Sequence, residues 1–147
     1  MTLLSVDPGR VSGWALIGDE VRSGTVRIDS RKGLEQAMEI VVEASVVVIE
    51  GCGYVSKGRF DTIWGLGRRA GTWECLARVQ GADVELVHPQ AWQKAMLYQG
   101  RNPGRAMIKK LSQARARSEV GREVGPDEAD AICMGMWFAR ERGLVVK

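Results

Sequence analysis

Four consecutive β-branched residues, Val46, Val47, Val48 and Ile49, constrain the fold of this chain more than any other feature. A strand wetted on one side alternates apolar and polar side chains. An unbroken apolar run is the pattern of a strand covered on both faces, as in parallel sheets sandwiched between helices. Glu50 and Gly51 close the run. A second apolar stretch, Leu3, Leu4 and Val6, is closed by Asp7, because Pro8 cannot donate to a ladder and Gly9 permits a turn. Two buried strands, each ending in a carboxylate, are therefore expected.

The remaining elements follow from periodicity. Residues 14–17, a turn at Gly18, Asp19 and Glu20, and residues 21–28 read as an antiparallel hairpin continuing from the first strand. Leu34, Ala37, Met38, Val41 and Val42 repeat at helical spacing over 31–44 and lead into the valine-rich strand. After a glycine-rich loop over 51–59, a longer helix is predicted over 60–80, then a strand at 84–87 and helices near 90–96, 103–120 and 126–142. Right-handed crossovers between parallel strands turn this order into one α/β layer structure. The prediction is a mixed five-stranded sheet, three strands antiparallel and two parallel, with helices on both faces. At 147 residues and 45% hydrophobic content, the chain reads as a single domain over 1–147. The first strand then lies beside the valine-rich one, with Asp7 and Glu50 adjacent at one end.

A carboxylate at the edge of an apolar run is costly to bury alone. Two on neighbouring strands repel unless a cation stands between them. The final helix adds Asp127 and Asp130, three residues apart and so on one face. Pro126 suits its first position, and Asp127 in the first turn also suits the helix dipole. Glu128 points elsewhere on the wheel and reads as solvated. Each acid singly has an ordinary structural explanation. All four, at the ends of apolar elements, read as a site for divalent metal ions.

Composition narrows the chemistry. With His88 the one histidine, and three cysteines (Cys52, Cys75, Cys133) lacking paired spacing, a Cys/His zinc site is nearly excluded and free thiols are expected. A histidine-based hydrolase would have to recruit His88. No basic stretch followed by an apolar segment and a cleavage site opens the chain, and no apolar run reaches membrane-spanning length, so a cytoplasmic protein without a membrane partner is expected. Net charge is only +3, yet eight basic residues fall between Lys94 and Arg122 against one acid, Glu119. That imbalance fits a polyanion partner. The helix over 60–80 carries Gly65, Gly67 and Gly71, each costing about 1 kcal/mol against alanine. Close approach of another helix is the expected reason, with the first helix available for it; Trp64 and Trp73, core residues by default, would line that contact, and Phe60 is expected in the helix core.

Asp7, Pro8 and Gly9 followed by Gly13, Trp14 and Ala15, the strand ending Val48, Ile49 and Glu50, and the run Asp127, Glu128, Ala129, Asp130 and Ala131 resemble the motifs of the RuvC family of Holliday junction resolvases, in the ribonuclease H-like superfamily. The resemblance covers essentially the whole chain in order and spacing. Brevity and the segment from His88 to Met96 resemble the small viral or bacterial branch. The resemblance implies a ribonuclease H-like fold and a homodimeric, magnesium-dependent endonuclease that nicks four-way DNA junctions in symmetric pairs. By that resemblance Asp7 bridges two magnesium ions, Glu50 ligates one, and Asp127 with Asp130 serve the other. Manganese is expected to substitute, and no nucleotide cofactor is called for. An all-oxygen donor set suits such ions, which keep water and phosphate about them. Two of them can activate water and stabilise a leaving oxygen. The family's junction-wedging aromatic falls nearest Tyr54, slightly off the usual spacing, with Phe60 a further candidate, and the resemblance implies that the glycine-bearing helix over 60–80 lies at the dimer interface. The family's backbone contacts map onto Lys94 and Arg105, with Lys57, Arg59, Arg101 and Lys109 as further DNA-binding candidates.

Three other classes compete. A related nuclease acting on RNA/DNA hybrid or structured RNA would share the acids. A junction-binding protein without catalysis would be favoured by loss of an acid, and all four are present. An ATP-handling domain of the sugar kinase type needs two such halves, and this chain has one.

Overall fold

The computed structural model describes residues 1–51 and 60–144. Its elements run β1 (Leu3–Asp7), β2 (Ser12–Ile17), β3 (Val21–Val26), α1 (Arg31–Val41), β4 (Val46–Glu50), α2 (Phe60–Val79), β5 (Asp83–Val87), α3 (Pro89–Met96), α4 (Arg105–Val120) and α5 (Pro126–Glu141). Element order and type agree with the sequence reading, and the boundaries differ by a few residues at the ends.

The strands form one sheet in the order β3-β2-β1-β4-β5. β1, β2 and β3 pair antiparallel, while β4 lies parallel to β1 and to β5. Strand alternation divides the interior into two cores. Leu4, Val6, Leu16, Val47 and Ile49 face Ala37 and Val41 of α1 and Ala70, Trp73 and Ala77 of α2. Leu3, Ala15, Ile17 and Val48 face α5, together with Trp92 of α3 and Ala116 of α4. Val47, Val48 and Ile49 are completely buried, as a strand covered on both faces requires.

α5 lies directly on β1 and β2. Gly135 leaves room for this: a Cβ there would fall 2.5 Å from Ser5 Oγ and 2.4 Å from the Ile17 side chain. Ser5, buried mid-strand, donates its hydroxyl to the Ala131 carbonyl of α5 at 2.5 Å, which satisfies a polar group the core would otherwise strand. Among the described residues no helix is long and apolar enough to cross a membrane.

Candidate active site

The period-2 rule places the two strand-end acids. Leu3 of β1 and Val46 and Val48 of β4 belong to the α5 face, so Asp7 and Glu50, reached in steps of two, project toward α5 as well. The parallel register pairs Val6 with Ile49, and each acid is the next residue on its strand. Asp7 also pairs with Gly13 across the β1–β2 ladder. Above Gly13 sits the start of α5, where Pro126 occupies the first turn with Asp127 and Glu128. A Cβ built on Gly9 would come within 3.9 Å of Asp127 Oδ1. The turn after Asp7 is pinned from the other side of the sheet: Ser12 Oγ donates to the Gly9 carbonyl at 3.3 Å and accepts from Trp73 Nε1 at 3.2 Å.

Electrostatics follow from this placement. Burial pushes the Asp7 carboxyl well above its usual range, and the charges of Glu50, Asp130 and Asp127 push it further, with the Lys109 ammonium opposing. Burial raises Glu50 to about 7, opposed by the hydrogen bond from Trp92 and reinforced by the charge of Asp130. Burial likewise raises Asp130, opposed first by its hydrogen bond from Ser112. The four predicted acids therefore share one electrostatic site. They do so as an open array: among the described residues no group of three or more His, Cys, Asp or Glu side chains is gathered tightly enough to hold a metal ion. The donor chemistry nonetheless fits a hard divalent cation, because the donors are all carboxylate oxygens, and burial and neighbouring charge raise Asp7, Glu50 and Asp130 toward protonation where no cation offsets them. Magnesium in particular uses one or two carboxylates and keeps several waters, so an open array suits it.

Two neutral donors hold the acids. Trp92 Nε1 donates to Glu50 Oε1 at 2.9 Å. Ser112 Oγ donates to Asp130 Oδ1 at 2.5 Å. Neither residue was singled out from the sequence. A signal existed for Trp92, since a buried indole N–H needs an acceptor and Glu50 stands at the end of a buried strand.

Lys109, on α4, faces Asp7 and Asp130 closely enough to oppose their rise. Lys94, Arg101 and Arg105 are exposed and, among the described residues, form no ion pair, as does the neighbouring Lys110. The later part of the basic run is neutralised within the chain: Arg115 pairs with Glu119 at 2.7 Å, Arg117 with Glu123 at 2.7 Å and Arg122 with Glu128 at 2.5 Å. Tyr54, Lys57 and Arg59 lie outside the described residues, as does Cys52.

Several sequence expectations are corrected. Glu128 is not solvated: it is buried, ion-paired to Arg122 and hydrogen-bonded to Ser23 Oγ at 2.8 Å, because the N-terminus of α5 lies against the sheet there. Phe60 is not in the core but 80% exposed, stacked on Trp64, itself 60% exposed. Trp73, by contrast, is fully buried in the core, the default place of a large apolar residue. Gly71 faces open space, so packing against α1 does not explain it. His88 caps α3, its Nδ1 accepting from the Gln90 N–H at 3.2 Å. Cys133 is a packed thiol that burial pushes up to about 12, and Cys75 is exposed, both of them free.

No protein-family model and no curated protein matches the sequence. Solved structures do. Thermus thermophilus RuvC in complex with a Holliday junction substrate superposes with a TM-score of 0.68 at 16% identity, over 98% of this chain and 97% of that one. A second Thermus thermophilus RuvC structure gives 0.64 at 16% identity, over 98% of each chain. Over almost its whole length, then, this chain is built on the ribonuclease H-like fold of RuvC.

Proposed function

We propose that this protein is a magnesium-dependent endonuclease that resolves four-way DNA junctions by paired symmetric nicks. The observation that carries the reading is the gathering of Asp7, Glu50, Asp127 and Asp130 from β1, β4 and α5 into one repelling, partly buried set. Such a set has no structural purpose by itself, since uncompensated buried carboxylates destabilise a fold. In this reading Asp7 and Glu50, with Asp127 and Asp130 opposite, hold the cations, and manganese replaces magnesium. When bound, the cations supply an activated water and offset charge on the leaving oxygen. The protein's own part is to fix the carboxylates, with α5 seated on β2 and the Asp7 turn pinned by Ser12. Lys94, Arg101, Arg105 and Lys109 guide the phosphate backbone to the acids, with Tyr54, Lys57 and Arg59 on the segment that follows Glu50.

Symmetric nicking needs two copies of the site. The stacked, exposed pair Phe60 and Trp64 on α2, with Gly71 facing open space on the same helix, supports a homodimer through α2. Large exposed aromatics of this kind mark protein interfaces.

Cleavage of a labelled immobile four-way junction, beside linear duplex and RNA/DNA hybrid, tests the reading in magnesium and in EDTA, with Asp7→Asn as control. Paired nicks in the junction alone, lost in EDTA and in the variant, are expected. Cutting of the hybrid alone would transfer the protein to a related nuclease class. Junction binding without cutting in either metal would leave a binding protein.

A further inference from the structure

The acids of this site differ in how they are held. Among the described residues nothing donates a hydrogen bond to Asp7, whereas Glu50 and Asp130 each carry one donor on one named oxygen. Both donors are fully buried, so packing fixes their rotamers: Trp92 and Ser112 have no exposed surface. Ser112 is further locked by Cys133, whose Sγ donates to the Ser112 carbonyl at 3.4 Å. Both donors also come from outside the strands. Trp92 lies on α3 and Ser112 on α4, the helices that follow β5.

The chemistry of the donors matters more than their presence. An arginine or lysine at either place would neutralise the carboxylate and compete with a cation for it. An indole N–H or a hydroxyl orients the group without supplying a formal charge. It also engages one oxygen, so the second oxygen is the one left with all of its lone pairs free to bind.

Resting on the metal-dependent reading above, we propose that Trp92 and Ser112 are positioning residues: each takes one oxygen of its carboxylate, Oε1 of Glu50 and Oδ1 of Asp130, and so presents the other oxygen to a divalent cation. Glu50 and Asp130 are then one-oxygen ligands. Hydrogen-bond partners of this kind change metal affinity by about 10- to 100-fold when removed.

The test is manganese affinity, by calorimetric titration of the full chain, for the unsubstituted protein, Trp92→Phe and Ser112→Ala, with Glu50→Gln as reference and circular dichroism to report folding. Each positioning variant is expected to bind about tenfold more weakly while remaining folded. A merely structural role would lower the melting temperature and leave the affinity unchanged. A second readout needs no substitution at the tested donor. In the unsubstituted, nitrogen-labelled protein the Trp92 indole N–H resonance shifts as magnesium is added, and in Glu50→Gln it does not. Unchanged manganese affinity in folded Trp92→Phe and Ser112→Ala, or an indole resonance indifferent to magnesium, overturns the positioning role alone. Failure of the unsubstituted chain to bind manganese overturns the metal site and the positioning role together.

Discussion

Gly13 of β2 lies directly beneath the backbone of Asp127: a Cβ on Gly13 would fall 1.8 Å from the Asp127 carbonyl oxygen and 2.9 Å from the Glu128 nitrogen. Both atoms are backbone at the start of a helix, so neither can turn aside. Gly13→Ala therefore lifts the first turn of α5 and carries Asp127 and Asp130 with it. Overpacking of this kind costs about 2 kcal/mol. Denaturant titration is expected to show that loss, and junction cleavage to fall more than about tenfold, since small misplacements at a reacting centre cost on that scale or more. Unfolding and cleavage both equal to those of the unsubstituted chain would contradict the seat.

Metal-free stability should depend on pH with an unusual sign. Glu50 binds its proton with a pKa near 7 in the fold against 4.5 when unfolded, and Asp7 and Asp130 are raised as well. Between those two values the native state holds more protons than the unfolded one, so stability falls as pH rises through the window. Melts in EDTA are expected to give a higher melting temperature at the acid edge than at the alkaline edge. Magnesium should raise the melting temperature chiefly at the alkaline edge, where the carboxylates are ionised. A metal-free melting temperature that climbs across the window would refute the arrangement.

Asp7→Asn separates stability from activity. The amide needs no charge in a buried place and does not repel Glu50, Asp130 and Asp127, so the metal-free variant is expected to melt at a higher temperature than the unsubstituted chain at neutral pH. Cleavage should be abolished while junction binding persists. A variant both less stable and unable to bind DNA would mean that Asp7 supports the fold rather than the chemistry.

The basic run should divide into two groups. Lys94→Ala, Arg105→Ala and Lys109→Ala remove cations that are unpaired or directed at the acids. Each is expected to weaken junction binding alike for all sequences and to flatten the salt dependence by about one unit of slope. Arg117→Ala should change binding little, because Arg117 is engaged with Glu123, although both are well exposed. Fluorescence anisotropy over a salt series distinguishes the groups, and equal effects from all four would remove the distinction.

Much of this molecule was legible one residue at a time. The β-branched run of β4, the acids closing β1 and β4, and Pro126 before Asp127 and Asp130 are local signals, and the elements formed where they indicated. Glu128 departs from its local pattern for a physical reason. Its wheel position faces away from Asp127 and Asp130, but β3 and Arg122 lie on that side and bury it. Phe60 lies outside the core because apolar character alone cannot tell a core face of a helix from an exposed one.

What the sequence determined by itself was the set of carboxylates and their faces, since strand alternation and helical spacing are properties of neighbouring residues. What the tertiary structure decided was everything that holds those carboxylates in place. Trp92 reaches Glu50 across 42 positions and Ser112 reaches Asp130 across 18, and the close seat of Asp127 on Gly13 joins the second strand to the last helix. No local periodicity encodes which helix residue meets a given strand end. That choice is made when the two faces of the sheet are packed, and hydrogen bonds between buried groups then admit few alternatives.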